Sequence, residues 1–236
     1  MFVWNQCINL KLTKMETNFK KNISNGNKIL YQNVKLGKNV QIGDFVIIGI
    51  HPSGRSNCKN LETIIGDDSI IRSHTVIYAG VRIGNNFNCG HGVKIREDTL
   101  IGDNSQVGTN SQIEGLVKIG SNVKIHTNVH IGQKSVIEDD VFIAPGTVLT
   151  NVLHPLCINA KECLKGPLIK ERAKIGANTT ILPHIIIGEN ALIGSGSVVV
   201  KDIPDNMVAV GNPAKIIKRI DELKCPFNLI DKPYKI

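Results

Sequence analysis

Imidazoles, thiols and amides are the side chains of this chain that could move a proton, attack a carbonyl or hold a metal. His154 precedes Pro155 and is followed by Cys157 and Cys163. Neutral imidazole accepts a proton near neutral pH, so His154 is equipped to act as a general base. His154, Cys157 and Cys163 also make three local candidates for a small metal knuckle. The spacing CxxxxxC is a weak zinc signal, however, and free loop thiols are the plainer reading. His91, His126 and His130, spaced by 35 and 4 residues, form a second set. They would hold zinc only if the fold made three ligands converge at about 2 Å, across a subunit boundary if need be. Otherwise they are exposed polar residues. The six cysteines (Cys7, Cys58, Cys89, Cys157, Cys163 and Cys225) are scattered and contain no CxxC. Reduced thiols are expected.

A repeat of period six must position these groups. From Ile65 to Ile143, every sixth residue is aliphatic or Cys89, and twelve of these fourteen positions are Ile. The fifth place of each hexad is small or β-branched except at Phe87, and the second place is Gly in seven of the fourteen. A period of six matches neither a helix at 3.6 nor an isolated strand at 2. It matches a short strand, a corner and another short strand. The large aliphatic points inward, the small residue fills the space beside it, and Gly is expected to ease the corner. Three flats close a triangular coil of 18 residues, and stacked coils pair as parallel strands that satisfy one another's backbone groups. One coil cannot bury its own face, so stacking must build the core. Cys89 then reads as a small buried hydrophobe.

Leu30, Leu36, Ile42 and Ile48 begin hexads before this block, and Ile175, Ile181, Ile187 and Ile193 begin hexads after it. The phase breaks twice, which predicts loops at about 51–62 and 153–172. The domain reading is a polar extension over 1–29, a β-helix over 30–210, and a C-terminal helix and tail over 211–236. The helix is expected over Ala214–Leu223, from the spacing of Ile216, Ile217 and Ile220, as a cap on the last coil.

Composition narrows the function classes. Aromatics are only 4% of the chain, so aliphatics must pack the core and a base-stacking surface is not expected. No apolar run reaches the length of a membrane span, and Met1–Lys14 lacks the apolar stretch of a secretory signal, so a cytoplasmic protein is expected. The net charge of +8 favours anionic partners. Nucleic acid is not among those expected, for want of a basic helix, a stacking aromatic set or a zinc finger.

The repeat resembles that of the hexapeptide-repeat acyltransferases. The resemblance implies an all-β, left-handed parallel β-helix with an extruded loop and a short C-terminal helix. It also implies a homotrimer whose active sites lie between subunits, and acetyl-CoA as co-substrate with no metal. Ala144-Pro145-Gly146 followed by His154-Pro155 is similar to the matching stretch of galactoside and maltose O-acetyltransferases, including the spacing from Gly146 to His154. There the His is the catalytic base. Val199-Val200-Lys201-Asp202-Ile203-Pro204 and Gly211-Asn212-Pro213-Ala214-Lys215 resemble the coenzyme A end of the family. By that register Ala177, Ser195, Val200, Lys201, Lys215 and Lys218 would contact the coenzyme. Lys215 and Lys218 stand where arginines are common, so phosphate contacts there would be point charges rather than forks.

Leu149-Thr150-Asn151-Val152 is similar to the Phe-Thr-Asn-Val element of N-acetyltransferases that act on nucleotide-linked amino sugars. Seven hexads earlier, Val107-Gly108-Thr109-Asn110 falls on an element whose Asn lies at the sugar site in that group. Asn128, one coil further, matches a substrate-binding Asn of the O-acetyltransferases. The implied sugar ligands are thus Asn110, Asn128 and Asn151, with Asn110 and Asn128 stacked on one edge near the loop that carries His154. A plain corner role for each Asn stays equally open. The expected activity is acetyl transfer to a UDP- or dTDP-linked amino sugar for surface glycan biosynthesis. O-acetylation of a sugar hydroxyl is the alternative. Two remoter readings are a zinc enzyme like the γ-class carbonic anhydrases, whose metal histidines His91, His126 and His130 loosely resemble, and a β-helix with no catalytic role.

Overall fold

The computed structural model describes residues 21–22, 27–52 and 61–234. Most of the polar extension and of the first loop, with Cys7 and Cys58, therefore lies outside the described residues. The rest winds into a left-handed parallel β-helix of about 10 turns. Its strands, mostly two residues long, form three sheets, which we call faces I, II and III in the order the chain visits them. Face I carries Ile95, Ile113, Ile131 and Leu149 in register, face II carries Ile83, Ile101, Ile119 and Ile137, and face III carries Cys89, Val107, Ile125 and Ile143. Each inward residue thus sits on its own counterpart one coil away. These columns are the core: Ile95 and Ile131 are fully buried, as is Cys89. No helix among the described residues is long and apolar enough to cross a membrane.

The corners are built differently from the sequence expectation. The turn falls at the fourth hexad place, where Asn86, Asn104, Asn110, Asn122 and Asn128 all take left-handed backbone, with φ between 55° and 59°. Asn and Asp tolerate that region best among residues with a side chain, which explains their recurrence there. Glycine at the second place serves close approach instead. A Cβ on Gly108 would lie 2.5 Å from the backbone nitrogen of Thr127 in the next coil. The fifth-place hydroxyls tie coils together. Ser111 Oγ donates to the His126 carbonyl at 2.8 Å and accepts from the Val129 N–H at 3.1 Å. Ser111→Ala would leave both buried groups without that partner, and chemical denaturation should show a loss of about 1–3 kcal/mol.

Two boundaries move. Leu168–Ile169 pairs with Val136–Ile137 on face II, so the coil resumes at Leu168 and the loop is shorter than 153–172. Ile169, six residues before Ile175, opens a further hexad whose second and fourth places are the charged Lys170 and Arg172. The helix expected over Ala214–Leu223 is absent except for one 3-10 turn, Ile220–Glu222. Lys215–Arg219 is instead a strand, antiparallel to Met207–Val210 on the end of face III. The last coil presents unpaired backbone groups, and β-branched Ile216 and Ile217 pair with them more readily than they would start a helix. Only Ile220 is buried; Ile216 and Ile217 are about half exposed. At the other end, Lys21–Asn22 adds an antiparallel strand to Ile29–Tyr31.

Candidate active site

The extruded loop leaves the coil after Leu149 on face I and rejoins at Leu168 on face II, so it projects from the I/II edge. Its stem is fixed by backbone contacts. Lys165 N–H donates to the Asn151 carbonyl at 3.0 Å, and His184 Nε2 lies 2.9 Å from the Cys163 carbonyl. Asn151 packs so close to the preceding coil that a Cβ on Gly132 would sit 3.1 Å from its side chain. His154 stands on the outer part of the loop, exposed, in a turn where the Cys157 N–H donates to its carbonyl at 3.3 Å. Around it Leu156 and Ile158 are almost wholly exposed, at 102% and 97%. Apolar side chains so displayed are suited to cover by another surface. Val200 and Lys201 follow Val199 on face I and reach the same I/II edge higher up the stack.

Asn110 and Asn128 lie elsewhere. Both are corners between faces III and I, stacked one coil apart, with Asn128 N–H donating to the Thr109 carbonyl at 2.9 Å. Ala177 and Ser195 stack on this same III/I edge, Ala177 N–H donating to Ser195 Oγ at 3.1 Å. Lys215 and Lys218 lie on the terminal hairpin of face III. The chain therefore brings Asn110, Asn128, Ala177 and Ser195 to one edge, and Asn151, His154, Val200 and Lys201 to the next. The expectation that Asn110 and Asn128 stand near the His154 loop is corrected: the width of face I separates them. The reason is arithmetic in the coil. From Asn128 the chain completes a coil to Gly146 and then crosses face I at Val148–Leu149 before the loop begins.

The remaining candidates are placed plainly. His91 is on the III/I edge with Nδ1 at 2.7 Å from Ser73 Oγ, His126 packs against the Phe142 ring at 4.9 Å, and His130 opens a strand of face I. Among the described residues no three His, Cys, Asp or Glu side chains gather as a metal site. Cys157 and Cys163 are free and exposed, while burial raises the pKa of the Cys89 thiol. The sequence reading missed one feature, a shallow groove of about 380 Å³ on face III and the III/I edge that includes Arg72. Its signal was present: Gly90 and Gly108 occupy second hexad places between two bulky ones, Arg72 and His126.

Comparison with known proteins agrees with this architecture. The family described as bacterial transferase hexapeptide (six repeats) matches residues 116–151 and 166–201. The hexapeptide β-helix is thus the class of the chain by sequence as well as by shape. The galactoside O-acetyltransferase of Escherichia coli is 39% identical over 90 residues, 36% of this chain and 44% of that protein. The 2,3,4,5-tetrahydropyridine-2,6-dicarboxylate N-acetyltransferase of Clostridium perfringens is 40% identical over 82 residues, 35% of this chain and 32% of that protein. The chain spans less than half the length of these curated relatives. The solved UDP-N-acetylglucosamine acyltransferase of Francisella novicida shares the fold, with a TM-score of 0.66 at 20% identity over 82% of this chain and 69% of that one. By repeat, fold and these likenesses the chain is similar to hexapeptide-repeat acetyltransferases, and two stretches of it carry that family's repeat.

Proposed function

We propose that the chain is an acetyl-CoA-dependent N-acetyltransferase of a UDP- or dTDP-linked amino sugar, acting in the cytoplasm as a homotrimer. The observation that carries this reading is the division of the candidate residues between two edges of one prism. A three-fold arrangement sets the I/II edge of one copy, with its loop, against the III/I edge of the next. His154 and Asn151 of one copy then face Asn110, Asn128, Ala177 and Ser195 of another, and the apolar loop tip is covered. Small side chains at Ala177 and Ser195, and the open space where a Cβ would be on Gly196, leave room for the pantetheine arm. Lys201, Lys215 and Lys218 supply cations for the coenzyme phosphates.

In the reaction the amine lone pair of the sugar attacks the thioester carbonyl, and the C–S bond breaks as the amide forms. His154 takes the proton that the nitrogen loses, and a proton returns to the coenzyme A sulfur. Positioning and stabilisation of the tetrahedral oxyanion by backbone N–H groups supply the rest. O-acetylation is the second reading. It is favoured by the exposed imidazole, since a hydroxyl needs a base more than an amine does, and by the likeness to the galactoside enzyme. Acetyl-CoA consumption against UDP- and dTDP-linked amino sugars and free glycosides decides between them. Turnover of the nucleotide-linked amines is expected, and turnover of free glycosides alone would replace the first reading with the second.

A further inference from the structure

The III/I edge carries more than acetyl transfer requires. Its groove is lined by Arg72, Asn88, His91, Gln106, Thr109 and His126, with backbone-lined space at Gly90 and Gly108. It continues toward Gln41 through a second depression of about 340 Å³ that shares Arg72 and His91. From Arg72 to His126 is three coil steps, roughly 14 Å at the usual strand spacing. At Gly90 and Gly108 the backbone of the next coil comes within 2.4 Å of where a Cβ would be, so the groove floor there is main chain, flanked in the second-place column by the side chains of Arg72 below and His126 above.

The lining chemistry is one-sided. It includes a guanidinium, two imidazoles, amides and hydroxyls, and no Asp or Glu lines either part. Arg72 is held in place from within the sheet. Its Nη1 donates to Asn88 Oδ1 and, at 3.0 Å, to the Cys89 carbonyl. The remaining guanidinium N–H groups are left for a ligand. Ser73 Oγ lies 2.7 Å from His91 Nδ1 and holds the ring by that nitrogen, leaving Nε2 for a ligand. This is a pre-oriented cation among neutral hydrogen-bonding groups, the combination that recognises phosphate oxygens.

The place of the groove points to the ligand class. Its upper half shares coils with Asn110 and Asn128, which directly follow the lining residues Thr109 and Thr127, and Ala177 and Ser195 lie further on. We propose that the groove binds the diphosphate of a nucleotide-linked acceptor, with Arg72 as its principal ligand, so that the attached sugar reaches Asn110 and Asn128. The identity of the ligand rests on the acetyl-transfer reading; anion binding by the groove does not.

Calorimetric titration of the full chain with UDP, inorganic pyrophosphate and coenzyme A, for the wild type, Arg72→Gln and His91→Gln, tests this. Arg72→Gln is expected to weaken UDP and pyrophosphate by about tenfold to a hundredfold and to leave coenzyme A within about twofold. His91→Gln should give a smaller loss in the same direction. Arg72 is only partly buried, and matching thermal midpoints check that the variants are folded. UDP affinity unchanged in both variants overturns the groove as the diphosphate site while leaving acetyl transfer intact. Displacement of pyrophosphate by coenzyme A also overturns it, assigning the groove to the coenzyme. Pyrophosphate binding that depends on Arg72, with no nucleotide-linked amine turned over, overturns the acceptor as ligand and with it the first functional reading, but not the anion site.

Discussion

His154→Ala is expected to lower kcat by about two to four orders of magnitude, the usual contribution of a general base. The KM for acetyl-CoA should change by no more than about twofold, because the residues assigned to the coenzyme are on other elements. The variant should fold, since the side chain is exposed and the backbone carbonyl accepts from the Cys157 N–H, a bond the substitution keeps. A loss of kcat without loss of stability would show that the loop is functional rather than ornamental. Unchanged kcat on amines would remove His154 from the chemistry. A loss confined to hydroxyl acceptors would favour the O-acetyl reading. The effect should also depend on assembly: if the site forms between copies of the proposed trimer, a dilution series that dissociates it should abolish activity in the wild type.

The second large effect concerns the core. Ile131→Ala is expected to destabilise the β-helix by about 2–5 kcal/mol, read from chemical denaturation. Ile131 is fully buried between Ile113 and Leu149 on face I. The coils above and below are held apart by the parallel backbone ladder at roughly 4.8 Å, so they cannot collapse into the space left by the side chain. The full cavity cost therefore applies. Because each coil touches only its neighbours, the loss should be local, and hydrogen exchange should rise first in the coils around Ile131. Ile131→Val, which keeps the branched contact with its neighbours, should cost about 0.5–1.5 kcal/mol. Equal losses for the two variants would mean that the inward column is not packed as described.

The isoleucine column shows how much was legible beforehand. Inward facing is a local property of a chain that alternates its side chains, so period six exposes it without reference to any distant contact. The same holds for the fifth-place small residues and for the existence of the second loop. Corner chemistry is legible at Asn110 and Asn128, where a plain corner role stood open and their left-handed backbone bears it out, whereas the part played by glycine is not, since the sequence does not show how near the next coil passes. The terminal strand was hidden for a different reason. Ile216, Ile217 and Ile220 fit helical spacing, and only the unpaired edge of Met207–Val210 makes a strand the better use of them.

What the amino acids determined by themselves was the triangular coil, its buried columns and the residues available at its corners, because each follows from steric and hydrophobic preferences within six to eighteen neighbours. What only the tertiary structure decided was which edge each candidate occupies. Asn128 and Asn151 are close in the chain, yet a crossing of face I divides them, and Arg72, His91 and His126 line one groove because successive coils stack. Those placements come from the winding of the whole chain and the length of the insertion, which is why Asn110 and His154 can share a site only when two copies are set edge to edge.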